Sequence, residues 1–99
     1  MRIIQKLSDM IGEEIGDARK YAKCALEYRE SDPELSRAFS ALSNEELGHM
    51  SRLHDQVVRL IKQYRDVHGE PPVSMQAVYD YLHRKNIEAV SEVRALLSS

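Results

Sequence analysis

The chain has 99 residues, 42% of them hydrophobic and 30% charged. That length supports one hydrophobic core, and the composition excludes a disordered or fibrous chain. With 14 basic against 16 acidic side chains the net charge is −2, which argues against nucleic acid as a partner, because displacing counterions from phosphates needs a basic face. Cys24 is the only cysteine, so neither an internal disulfide nor a Cys-rich zinc site is expected. No apolar run reaches the 18 residues of a membrane span. The first residues reach Asp9 and Glu13 before any apolar stretch long enough for a signal peptide. A cytoplasmic location follows as the expectation.

Only 4 Gly and 3 Pro punctuate the chain, and they mark three helical segments with no period-two alternation between them. The first, about 3–29, carries Ile4, Leu7, Ile11, Ala18, Ala22 and Ala25 at spacings of three and four, one helical stripe. Ser31-Asp32-Pro33-Glu34 then reads as a helix start, with a polar cap, a proline in the first turn and an acid near the positive helix end.

The second segment, about 34–66, carries Leu35, Ala38, Phe39, Leu42, Met50, Leu53, Val57, Leu60, Ile61 and Tyr64. Its other side holds Glu45, Arg52, Asp55, Arg59, Lys62 and Asp66, the pattern of a solvated face. His68-Gly69-Glu70-Pro71-Pro72 is a stop. Ser74 is then expected to cap a third segment, about 74–97, in which Met75, Val78, Leu82, Ala89, Val93 and Leu96 share a stripe, with a break expected at Arg84-Lys85-Asn86. The domain is therefore all-α: a long antiparallel hairpin (1–67), a Pro-rich turn (68–73) and a C-terminal helical extension (74–99).

At 1.5 Å per residue the first two segments are rods of roughly 40 and 50 Å. Joined by a short turn they leave one long face uncovered, and the third segment is expected to cover it only in part. A second copy would complete a four-helix bundle, so a homodimer or higher homo-oligomer is expected.

Three residues break the apolar pattern. Glu14 interrupts the stripe of Leu7, Ile11 and Ala18; Glu46 interrupts that of Leu42, Met50 and Leu53; His49 follows Glu46 at i+3 on the same helix face. A carboxylate on a core-facing stripe is costly unless paired, protonated or bound to metal. Counted from a turn at Ser31, the three lie at heights of roughly 26, 22 and 27 Å, one level of an antiparallel hairpin. Gly48 between them suggests close backbone packing, because glycine in mid-helix costs about 1 kcal/mol relative to alanine. One hairpin thus offers two carboxylates and one imidazole, and a two-fold axis would double the set. Such donors suit iron or manganese, and zinc is the other candidate.

Glu14, Tyr21 seven residues on, and Glu46-x-x-His49 on the next helix resemble the first half of a rubrerythrin or bacterioferritin. The nearer resemblance is to the encapsulated ferritins, single-hairpin members of the ferritin-like superfamily whose inter-helix stretch is similar to Asp32-Pro33-Glu34-Leu35. It spans roughly residues 10–55. It implies that Glu14, Glu46 and His49 are iron ligands, that Tyr21 lies near them, that the di-iron site is shared between two subunits, and that Fe(II) is oxidised by oxygen or peroxide. The tail from Val93 to Ser99 does not resemble a shell-targeting peptide, and no Cys-x-x-Cys pair is present for a rubredoxin-like centre.

Around this set, Asp17 reads as a bridging carboxylate or a helix-surface residue, and Glu45 as solvated, or as the ligand if the register is shifted by one. His54 reads as an interface histidine or as a ligand on a metal access route. Tyr21 needs only packing and one hydrogen bond to be explained. His83 and Tyr79-Asp80-Tyr81 read as ordinary partly buried helix residues. The competing function is a non-enzymatic helical interaction module, in which the same Glu and His side chains form a polar network at a dimer interface.

Overall fold

The computed structural model describes residues 2–99, and they form three helices: α1 (Arg2–Tyr28), α2 (Pro33–His68) and α3 (Val73–Leu97). The described residues contain no strand. The molecule measures 56 × 16 × 16 Å with a radius of gyration of 16.1 Å, against about 13 Å for a compact globule of this length. It is a rod three helices thick.

The predicted boundary between α1 and α2 agrees with the observed one to within a residue, α1 ending at Tyr28 and α2 starting at Pro33. The Asp32 carboxylate accepts the Leu35 N–H at 3.1 Å, Pro33 opens α2, and Glu34 sits in its first turn. At the other end the Gly69 N–H donates to the Arg65 carbonyl at 2.9 Å with φ at 84°, a conformation that costs glycine little.

α3 departs from expectation twice. Its N-cap is Pro72, whose carbonyl accepts from Met75 and Gln76 at 2.9 and 3.1 Å. Ser74 lies inside the first turn and makes no cap, because the fixed proline backbone has already set the helix direction. Nor does Arg84-Lys85-Asn86 break the helix. Leu82 and Ala89, buried on either side of it and seven residues apart, hold one stripe in register through the charged stretch.

Small residues set the closeness of α1 and α2. Ala18, Ala22 and Ala25 are buried, and the hydroxyls of Ser43 and Ser36 donate across to the Ala18 and Ala25 carbonyls at 2.7 and 2.6 Å. α3 then lies along one side of this hairpin. Met75, Leu82 and Ala89 join the core of Ile4, Ile11, Ile15, Met50, Val57 and Ile61, while Val93 packs on Ala18 and Ala22. Two links tie α3 to α1 and the turn that follows it: Arg19 Nε to Glu92 Oε2 at 2.7 Å, and Arg29 Nη2 to the Leu97 carbonyl at 3.0 Å.

The wide α2 stripe read from sequence divides in two. Met50, Val57 and Ile61 are buried, together with Ser36, Ser43 and His54, whereas Leu35 and Leu42 stay exposed and Phe39, Leu53 and Leu60 are half-buried. One helix is serving two faces, and apolar spacing alone does not separate them.

A candidate metal centre on the open face of the hairpin

The second face is defined by seven-residue spacing. Leu7, Glu14, Tyr21 and Tyr28 of α1, and Phe39, Glu46, Leu53 and Leu60 of α2, are all half-buried. In α2 the Ser36, Ser43, Met50 and Val57 row faces α1, as the Ser43 bond to Ala18 requires. His54 and Ile61, four residues past Met50 and Val57, turn toward α3, where the His54 ring meets those of Tyr79 and His83. The Glu46 row, three residues past the α1-facing row, turns the opposite way because residues i+3 and i+4 lie on either side of i around the helix. Glu14 and Glu46 therefore sit on the face that α3 leaves open, rather than within the buried stripes where their sequence positions suggested.

On that face Glu14, Glu46 and His49 come together as their counted heights predict. Each offers a ligand atom, and these atoms all lie within 4.8 Å of one another. His49 Nδ1 is 3.5 Å from Glu14 Oε2 and 3.7 Å from Glu46 Oε2. The side chains of Glu14 and Glu46 are 25% and 18% exposed, and that of His49 is 52% exposed. Glu14 Oε2 is itself buried and has no hydrogen-bond partner. A shielded carboxylate oxygen without a donor is costly. The ligand atoms nearest it belong to another carboxylate and an imidazole, a set that fits a hard or borderline cation.

The other candidates fall away from this point. Asp17 and Glu45 are exposed, and neither belongs to the cluster found among the described residues. Tyr21 stacks on Phe39 at 6.2 Å, and Phe39 on Tyr28 at 6.1 Å, an aromatic row between the cluster and the hairpin turn. Gly48 does not mark close packing: it is exposed, and a Cβ there would meet nothing within 4 Å. Its cost is then purely conformational, so Gly48→Ala should raise stability by about 1 kcal/mol, read as a higher midpoint in urea at unchanged slope.

The feature the sequence reading underweighted is on the opposite side of α2. His54 is 8% exposed and its Nε2 is buried without a partner. The signal was present, since His54 follows Met50 by four residues on a core stripe. Burial lowers its pKa from the ordinary 6.5, His83 lowers it further, and Asp55 opposes both. The unfolded chain thus takes up this proton near pH 6.5, while the folded chain holds the imidazole neutral to lower pH. The His54 contribution is complete above that range and is lost as pH falls through it. Urea midpoints at pH 7.5 and 5.5 should differ more for the wild type than for His54→Gln.

Comparison with known proteins gives no relative: no family model, no curated protein and no solved structure matches the chain. Among the described residues no helix is long and apolar enough to cross a membrane.

Proposed function

We propose that this is a ferritin-like, iron-binding protein in which Glu14, Glu46 and His49 supply half of a di-iron centre and a second copy of the chain supplies the other half. The observation that carries the reading is the partnerless, buried Glu14 Oε2 beside Glu46 and His49. Two carboxylates and one imidazole leave an iron ion short of ligands, and a two-fold partner would bring four carboxylates and two imidazoles to one place. The surroundings favour such a partner. Ile3, Met10, Leu35 and Leu42 are 37–44% exposed, and with the half-buried Leu7, Leu53 and Leu60 they flank the cluster on the face α3 does not cover. Two copies meeting there would form a four-helix bundle from α1 and α2, with each α3 outside.

In this arrangement Glu14 and Glu46 would hold and neutralise the ions, and His49, the most exposed of the three, would be the ligand nearest the partner. The leucines and Met10 would exclude water around them. Bound iron would supply the redox chemistry, Fe(II) giving electrons to oxygen or peroxide. Anaerobic Fe(II) titration of metal-free protein, with elemental analysis after desalting and mass in solution, tests this. Two irons per dimer is the expected result. No retained iron in a folded dimer would overturn it in favour of an interaction module built on the same polar cluster.

A further inference from the structure

A second group of ligating side chains lies between α2 and α3, on the other side of α2 from the Glu14 cluster. The His54 and His83 ring centres are 5.8 Å apart; Tyr79 is 6.1 Å from His54 and stacked at 5.9 Å on His83, with 9° between the planes. We propose that His54 and His83 form a separate metal site, taking one borderline divalent cation of the zinc class between α2 and α3, with Tyr79 positioning the His83 ring.

Three observations carry this. The spacing is close to what it needs: two imidazoles sharing one tetrahedral ion at Zn–N distances of about 2.0–2.1 Å hold their ring centres roughly 5 Å apart, against 5.8 Å between His54 and His83. The orphan is explained: apart from Glu14 Oε2, His54 Nε2 is the only buried side-chain polar atom without a partner among the described residues, and an ion is one of the standard partners of such an atom. The protonation state is right, because a ligating imidazole must be neutral, and burial together with His83 favours the neutral form of His54.

The groups facing His54 are Tyr79 and His83 from α3 and Asp55 from its own helix. α1 brings apolar Ile4 and Ile11 to the core against which Tyr79 packs. The carboxylate beside the pair, that of Asp55, is exposed, whereas Glu14 and Glu46 are half-buried in the first cluster, so the preference is for imidazole-seeking zinc, copper or nickel over manganese or magnesium. His83 is exposed, which opens the ion's remaining positions to water. Because its ligands come from two helices, the ion would clamp α3 onto the hairpin.

The test is zinc binding by the full-length Glu14→Gln/Glu46→Gln/His49→Ala protein, which lacks the first cluster. Equilibrium dialysis should give one zinc per chain. At free zinc about 100 times Kd the Tm should rise by about 10 °C or more. Adding His83→Gln, a change at an exposed position, should weaken binding at least tenfold and remove the Tm rise. Should the triple variant fail to fold, the wild type and His83→Gln are compared directly, and they should differ by one zinc per chain. No binding tighter than about 100 µM, or zinc binding indifferent to His83, overturns the site. Neither result bears on the Glu14 cluster, which retains its own iron titration.

Discussion

Glu46→Ala is expected to lower iron affinity at least about 100-fold, since even the supporting partners of metal ligands cost 10–100-fold when removed. Its metal-free form should be no less stable than the wild type. Glu46 has no hydrogen bond to lose, and its carboxylate shares a partly shielded site with that of Glu14. Removing one of two like charges there relieves repulsion. Glu45→Ala, one residue away on the exposed face, should leave iron affinity unchanged, which makes it the control for a nonspecific loss of negative charge. The two functional readings separate on one comparison. If the cluster is a metal centre, Glu46→Ala loses iron and the metal-free dimer persists. If it is an interface network, the metal-free dimer weakens when Glu46 is removed. Sedimentation of metal-free wild type and variant, beside Fe(II) titration of both, reads the two quantities independently.

The candidate centre was legible in the sequence because it depends only on counting. A turn fixed by Asp32 and Pro33, a constant rise per residue and a Glu-x-x-His on one helix face are enough to bring Glu14, Glu46 and His49 to one level. The side of the hairpin on which they lie was not legible. That follows from where α3 docks, and α3 chooses the face where Ala18, Ala22 and Met50 leave room for Leu82, Ala89 and Val93. Periodicity registers Leu42 and Met50 alike as apolar; only the third helix makes one exposed and the other buried. The same missing information led Gly48 to be read as a close contact and Arg84-Lys85-Asn86 as a break. The His54–Tyr79–His83 group was obscured for a related reason, since His54 lies more than 20 residues before Tyr79 and His83 and no local rule specifies how far α3 slides along α2.

Leu82→Ala is the substitution with the largest expected effect on stability. Leu82 is 2% exposed in the middle of α3 and belongs to the core shared by all three helices. Truncating a buried leucine to alanine costs about 2–5 kcal/mol, the spread depending on how far the site collapses. Against a total of about 5–15 kcal/mol for a domain of this kind, and about 4–8 °C of Tm per kcal/mol, the midpoint should fall by at least about 8 °C. Thermal unfolding followed by circular dichroism measures it. Leu82 also tests how far the two faces of the hairpin are independent. It packs on the side of α1 and α2 away from Glu14, Glu46 and His49, and none of those residues depends on α3 for a hydrogen bond. Well below its lowered midpoint, the variant should therefore retain as much iron per chain as the wild type. Loss of iron in the still-folded variant would mean that α3 sets the spacing of α1 and α2 at the cluster, and the core behind the centre would then be part of what holds its ligands in place.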